Sequence, residues 1–376
     1  MQTVVHDRIT EYNSMAHTFA VIMAGGVGSR FWPRSRERSP KQFLEILSSG
    51  TLLENTLGRI EPLVEKINTF IVTNRAQVES VVKLVPFLPK ENILAEPFGR
   101  NTAPCIGLAA LWIRRIDPDG LMVVLPSDHL VENTEEFGRV LNTALKVARE
   151  KEALVTIGIK PSHPETGYGY IQIEDEDHDR NPYRAEGAYP VKTFAEKPNL
   201  ETAERFLQSG DFVWNSGMFV WKASAILKAI EVHVPDLHVQ LQAVQEAIGT
   251  PTYKQTLEQA YGLTRNISVD YGVMEKAGNV FVVKGDFGWS DVGSWDEVVR
   301  LTTKDADGNS TRGKALLRDS SNNYVDAGNK LVAAIGVEDL IIIQTDDAVL
   351  VCKKGKSQEV KEIVDFIRRK QMNEYL

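Results

Sequence analysis

The spacing of its short apolar runs is what most constrains this chain. Phe19–Ala24, Thr69–Thr73 and Leu121–Leu125 are brief, partly β-branched, and end in turn-forming or polar residues. Apolar runs of that length without alternation read as strands buried on both faces. Helical stretches, Thr51–Val64, Ala76–Val85 and Ala103–Ile116, lie among them. Strand and helix taken in turn build βαβ units, so the chain is α/β with a parallel sheet. Ligands of such sheets bind in the crevice at the carboxyl ends of the strands. Gly25-Gly26-Val27-Gly28 follows one strand end and Pro126-Ser127-Asp128-His129 follows another, so both fall where a site is expected.

At 376 residues and 43% hydrophobic, the chain can bury a large core and has length for more than one domain. Its formal net charge of -8 speaks against a nucleic-acid surface, which needs Lys and Arg against phosphate. No stretch has the apolar length to cross a bilayer. Two cysteines, Cys105 and Cys352, are too few for a disulfide framework and suit a reduced, cytoplasmic interior. Residues 1–18 carry acids and two His without an apolar core, so they read as a flexible extension and not as a signal peptide.

The middle of the chain changes style. Thr166-Gly167-Tyr168-Gly169-Tyr170-Ile171-Gln172 is glycine-aromatic and strand-like, and the polar stretch Glu174–Arg184 reads as an exposed turn. Val191–Ala195 is a further strand, and Asn199 is placed to cap a helix through Leu207. Two short β segments are expected on either side of Trp214-Asn215-Ser216-Gly217, the region as a whole being an insertion folded over the sheet. Asp, Gly and Asn crowd Thr302–Thr311 and mark a boundary, giving domains at 19–301 and 302–376. The second holds short β runs, Leu331–Ile335, Leu340–Gln344 and Val349–Val351. It ends in a helix, Ser357–Lys370, with Val360, Ile363, Val364 and Ile367 on one face. This tail shows no evident chemistry and reads as packing or oligomerisation, with a homodimer expected.

The glycine loop carries the chemical signal. Without Cβ atoms, backbone N–H groups converge on an anion. The Walker pattern fails because Gly28 is followed by Ser29-Arg30, and the dinucleotide fingerprint fails because Phe31 stands at its third glycine. What remains is a loop with Arg30, able to clamp phosphate bidentately, and Lys41, a mobile point charge. The competing reading is a tight strand-to-turn crossing under a solvated basic surface. Asp128 and Asp291 each follow an apolar strand, and hard Mg²⁺ takes one or two carboxylates with phosphate oxygens and water. Taken singly, Asp128 reads better as a helix cap and Asp291 as the start of a turn; taken jointly with the glycine loop, they read as a metal pair. His129 is assigned to loop order, since imidazole is a poor Mg²⁺ ligand. Trp214, Trp221, Trp289 and Trp295 read as core or pocket wall.

Ala24-Gly25-Gly26-Val27-Gly28-Ser29-Arg30 with Pro40-Lys41-Gln42 resembles the signature of sugar-1-phosphate nucleotidylyltransferases. Glu96-Pro97-Phe98-Gly99-Arg100-Asn101-Thr102-Ala103-Pro104 is similar to the variant typical of the mannose-1-phosphate guanylyltransferases. Phe194-Ala195-Glu196-Lys197-Pro198, Trp214-Asn215-Ser216-Gly217 and Trp289-Ser290-Asp291-Val292-Gly293-Ser294-Trp295 follow in the family's order.

The resemblance implies a Rossmann-like nucleotidyltransferase whose mixed sheet is mostly parallel, with a small β-rich C-terminal domain that a partial left-handed β-helix would satisfy. It implies GMP transfer from GTP to α-D-mannose 1-phosphate, with Asp128 and Asp291 holding Mg²⁺. Ala24, Gly25, Gly26, Gly28, Ser29, Arg30, Lys41 and Asp128 would meet the nucleotide. Arg30, Lys41 and Lys197 would serve catalysis, because phosphoryl transfer to an ionised phosphate needs cations and alignment and no side-chain nucleophile. Glu196 would read sugar hydroxyls and Lys197 the sugar phosphate, with Gly169, Asn215 and Asp270 completing the pocket. Guanine offers N1–H and an amine, so Glu96 is its candidate reader, with Arg100, Asn101 and Thr102 near the base or ribose. A brace between Glu96 and Arg100 is the structural alternative for that pair, and a surface ion pair is the alternative for Glu196-Lys197. The tail is too short to resemble the cupin-type isomerase domain of bifunctional relatives, so a single activity is expected. A non-catalytic regulatory paralogue that binds sugar nucleotide is the rival reading.

Overall fold

The computed structural model describes residues 17–47, 49–175 and 181–376. Most of the extension expected at 1–18 lies outside the described residues. Its end does not: Thr18 already opens the first strand, and the His17 backbone N–H donates to the Asp117 carboxylate at 2.8 Å. Part of the turn expected at Glu174–Arg184 also falls outside, while within it Arg184 Nε meets Asp175 at 2.8 Å.

Two compact units emerge from the packing. The first takes the described residues up to Gly25 with Thr56–Ser127 and Val131–Trp289. The second takes Gly26–Asn55, Asp128–Leu130 and Ser290–Leu376. The compositional boundary near residue 302 falls inside the second unit, because the helix Trp295–Leu301 buries Trp295, Val298 and Val299 in that unit's core.

A nine-stranded sheet organises the first unit. Its strands are β1 (Thr18–Ala24), β2 (Thr69–Asn74), β3 (Ile93–Glu96), β4 (Leu121–Pro126), β5 (Leu154–Ile159), β6 (Gly169–Ile173), β7 (Ala188–Glu196), β8 (Phe212–Lys222) and β9 (Val280–Gly285). Their order is β3-β2-β1-β4-β8-β5-β9-β7-β6, and all but β7 and β8 run in one direction. The apolar runs become interior strands as expected: Phe19–Ile22 and Leu121–Leu125 are fully buried.

The expectation of an insertion over the sheet is corrected. Residues 212–222 form one strand instead of two, wedged antiparallel between β4 and β5 at the centre of the sheet. Phe212, Val213, Trp214, Met218, Phe219, Val220 and Trp221 are all buried there, so apolar burial on both faces fixes the strand's position. The Trp214–Gly217 segment passes through by a register shift opposite Thr156 and Gly158.

In the second unit β10 (Ser310–Arg318), β11 (Tyr324–Ile335) and β12 (Leu340–Gln344) pair in parallel, and β13 (Val349–Lys353) closes the sheet antiparallel. The terminal helix runs Val360–Arg369, after a 3₁₀ turn at Ser357–Glu359. Its Val360, Val364 and Ile367 sit in one core with Phe31, Trp32, Leu44, Trp295 and Tyr324. Ile363, expected on that face, is 47% exposed.

Candidate active site

In the second unit the glycine loop and the two aspartates meet at one cavity. Gly28 has φ +68°, and a Cβ there would lie 2.4 Å from Lys41 Cβ, so only glycine admits the lysine stem. The Lys41 N–H donates to the Val27 carbonyl at 3.1 Å, and Ser35 Oγ donates to that of Gly28 at 2.7 Å. Asp128 and Asp291 are drawn together by a bridge two residues beyond one and one before the other, where Leu130 and Ser290 exchange backbone hydrogen bonds at 2.8 and 3.2 Å. Lys41 Nζ then donates to Asp128 Oδ2 at 2.9 Å and to the Asp291 carbonyl at 2.7 Å, 5.3 Å from the Phe31 ring centre.

Burial would push the Asp128 carboxyl up. The charges of Lys41 and His129 and the Lys41 hydrogen bond outweigh it and hold the group below the usual carboxylate range. His129 Nε2 stands 4.0 Å from Asp128 Oδ1, and both residues line the cavity. After Asp291 the backbone is strained: buried Val292 has φ +46°, which a β-branched residue resists. Its N–H is held by Ser290 Oγ at 3.0 Å, and that hydroxyl donates to Glu297 at 2.7 Å.

The cavity has a volume of about 330 Å³ and is lined by Gly28, Ser29, Arg30, Phe31, Lys41, Asp128, His129, Asp291, Gly293 and Lys361. Its two carboxylates are a donor set that leaves most of an octahedral Mg²⁺ shell to phosphate oxygens and water, so the residues present fit that ion. Among the described residues no cluster of three or more His, Cys, Asp or Glu forms a closed metal cage. Lys361, which nothing in the sequence singled out, brings a side chain of the tail to this lining.

The other sequence-selected residues lie in the first unit, in two groups. Ala24 closes β1 and its carbonyl accepts from Thr73 Oγ1 at 2.8 Å, while Gly25 begins the loop that the chain continues through Gly26 in the second unit. A Cβ on Gly25 would lie 3.5 Å from Glu96 Oε2, so that oxygen faces the loop's start. Glu96 is 4% exposed, and burial pushes its carboxyl up to about 7 against the opposing hydrogen bond that Tyr261 donates at 3.1 Å. The expected alternative, a Glu96–Arg100 brace, is not a direct pair. Arg100 Nε donates to the Tyr261 carbonyl at 2.9 Å and its guanidinium lies 4.8 Å from the Phe98 ring centre. Tyr261 therefore holds both, a role 161 residues from Arg100 that no local pattern betrays.

Asn101 has φ 70° and ψ -169°, a region nearly reserved for glycine, and its side chain accepts from Thr102 N–H at 2.9 Å. Thr102 Oγ1 accepts from Val269 N–H at 2.8 Å, which ties this segment to the turn carrying Asp270.

In the second group Gly169 faces Glu196 across β6 and β7, and a Cβ there would lie 2.5 Å from Glu196 Oε2. Lys197 has φ +50° and its ammonium pairs with Glu196. Burial pulls that ammonium down, yet the Glu196 contacts leave it net raised. Asn215 Nδ2 donates to Asp270 at 2.8 Å, and its Oδ1 accepts from Thr156 Oγ1 at 2.9 Å. Burial, then the charge of Glu196, push the Asp270 carboxyl up to about 6. Glu196, Lys197, Asn215 and Asp270 thus form a polar cluster whose donors and acceptors suit hydroxyls beside an anion. Trp214, Trp221 and Trp295 are buried in the core, and Trp289 meets Tyr168 edge-on at 5.3 Å.

Residues 19–308 match the nucleotidyl transferase family, and residues 313–366 match the mannoseP isomerase/GMP-like beta-helix domain. The chain belongs to the nucleotidyl transferase family. Within this family it is 42% identical to the mannose-1-phosphate guanylyltransferase of Klebsiella pneumoniae over 360 residues, covering 94% of this chain and 75% of the relative. A crystal structure titled mannose-1-phosphate geranyltransferase, from Thermus thermophilus, is 35% identical, with a TM-score of 0.81 over 93% of this chain and 99% of that one. Another, titled mannose-6-phosphate isomerase, from Helicobacter pylori, is 27% identical, with a TM-score of 0.59 over 73% and 99%.

Proposed function

We propose that this nucleotidyl transferase moves GMP from GTP to α-D-mannose 1-phosphate, giving GDP-mannose and pyrophosphate. The observation that carries the reading is the cavity in which Arg30, Lys41, Asp128 and Asp291 converge, in a chain whose guanylyltransferase relatives match it over nearly its whole length. A phosphate oxygen of mannose 1-phosphate attacks the α-phosphorus of GTP. One P–O bond forms, the α–β bridging P–O bond breaks, and pyrophosphate leaves. The attacking oxygen is already ionised near neutral pH, so no general base is required.

Mg²⁺, held by Asp128 and Asp291, would neutralise phosphate charge. Lys41 pins both acids in place, and Arg30 clamps phosphate oxygens bidentately. Backbone of Gly25, Gly26, Gly28 and Ser29 approaches the nucleotide, with Ala24 at the loop's root. Glu96 reads guanine, while Arg100, Asn101 and Thr102 shape the base and ribose pocket. Glu196 accepts from sugar hydroxyls and Lys197 meets the sugar phosphate, with Gly169, Asn215 and Asp270 completing the contact.

Two further readings belong here. A homodimer is supported by Leu316, Leu331 and Ile335, which are 61%, 59% and 69% exposed on β10 and β11. A cytoplasmic place of action is supported by two free cysteines, and no described helix is long and apolar enough to cross a membrane.

The test is pyrophosphate release from GTP and mannose 1-phosphate, with Mg²⁺ or EDTA, run beside ATP, UTP and dTTP and beside an Asp128→Asn, Asp291→Asn variant. Release that favours GTP, needs metal and vanishes in the variant supports the proposal. Preference for another nucleotide keeps the mechanism and discards the guanine reading. No release from folded protein favours the regulatory alternative.

A further inference from the structure

We propose that the C-terminal helix supplies a third cation to the nucleotide site: Lys361 binds the two phosphates that leave as pyrophosphate. Lys361 lines the cavity formed by Arg30, Lys41, Asp128 and Asp291, although it lies in the β-helix part of the chain and outside the segment matching nucleotidyl transferases. Its position is enforced by packing. Val360, Val364 and Ile367 are 2%, 5% and 7% exposed and share a core with Phe31, next to Arg30. The helix is therefore docked along the segment Ser29–Phe31. The chain beyond it is held too, since Trp32 Nε1 and Arg36 both donate to the Tyr375 carbonyl, at 2.9 and 2.5 Å.

The charge balance of the cavity gives Lys361 its task. Lys41 is committed to Asp128 and to the Asp291 carbonyl. Asp128 and Asp291 bring two negative charges to a site that must admit a polyphosphate. Arg30 and Lys361 are exposed, and among the described residues neither forms an ion pair or a side-chain hydrogen bond. An ammonium on a flexible stem is the compact point charge that a departing pyrophosphate needs, complementing the planar fork of arginine. The phosphates at issue are not those of the sugar, so the contact belongs to GTP in one direction and to pyrophosphate in the other.

This inference rests on the proposed reaction, and the experiment separates the two. In the reverse direction, GDP-mannose plus pyrophosphate, Lys361→Met is expected to raise KM for pyrophosphate about tenfold while KM for GDP-mannose stays within about twofold. Lys361→Arg restores most of the loss. Lys370→Met removes the same charge at the far end of the helix and leaves both constants unchanged, which separates a local contact from net charge. Calorimetry of pyrophosphate with each folded protein in EDTA reads the same contact without turnover, and Lys361→Met is expected to bind more weakly by a similar factor. Equal pyrophosphate affinity in wild type and Lys361→Met overturns the proposal, as does a KM rise shared equally by GDP-mannose. If wild type turns over no nucleotide, the reaction reading fails while the calorimetric comparison still decides Lys361.

Discussion

Glu96 concentrates the chemistry of one residue into two measurable effects. Its folded carboxyl lies near 7 against an ordinary 4.5, chiefly because it is buried. Below about 4.5 the group is protonated in folded and unfolded chains alike. As pH rises from there to about 7 the unfolded chain gives up the proton first, so stability falls across that window and the loss is complete above it. The cost is roughly 3 kcal/mol. Urea unfolding of Glu96→Gln at a series of pH values should therefore show a flatter decline between pH 5 and 7 than wild type; parallel curves would show the carboxyl to be unperturbed. Tyr261→Phe removes the donor that fixes Glu96 Oε1. Inosine triphosphate lacks the amine from which Glu96 is proposed to accept a hydrogen bond, so the preference for GTP over it, as kcat/KM, should fall roughly three- to tenfold. An unchanged ratio would reduce Tyr261 to a packing residue.

The glycine loop sorts its residues at the scale of the element. Gly28 combines φ +68° with a Cβ position 2.4 Å from Lys41 Cβ, whereas a Cβ on Gly26 would meet nothing within 4 Å. Gly28→Ala should cost about 1–3 kcal/mol and displace Lys41, seen as a lower melting temperature and a fall in kcat of about a hundredfold. Gly26→Ala should keep the melting temperature and raise KM for GTP, because its open side is where a phosphate would approach. Equal effects from both would mean that the loop tolerates no Cβ anywhere. The strand Phe212–Lys222 shows how an element escapes sequence reading. The sequence reading expects two short strands on either side of Trp214–Gly217, which contains the polar Asn215 and Ser216. Yet Asn215 is satisfied by Thr156 and Asp270, and Ser216 Oγ by the Ile157 carbonyl at 2.8 Å. Once paired, buried polar groups cost little, and the strand runs through.

Over the whole molecule, the last residues are expected to matter more than their composition suggests. Deleting 373–376 strips Trp32 Nε1 and Arg36 of their shared acceptor. The melting temperature should drop by several degrees, for a loss of about 1–2 kcal/mol, and KM for pyrophosphate should rise as Lys361 loses its footing. A truncated protein with unchanged constants would uncouple the tail from the cavity. The α/β class, the interior strands and the loop with Arg30 and Lys41 were legible because apolar run length and glycine spacing are local properties of the chain. Asn199 capping its helix, with Thr202 N–H at 2.9 Å, was legible for the same reason. The order of the strands, the pairing of Leu130 with Ser290 that brings Asp128 toward Asp291, the bridging part of Tyr261 and the arrival of Lys361 were not. Each joins residues far apart in the chain. Such contacts are chosen by burial and hydrogen-bond satisfaction across the folded structure, to which a window of sequence carries no signal.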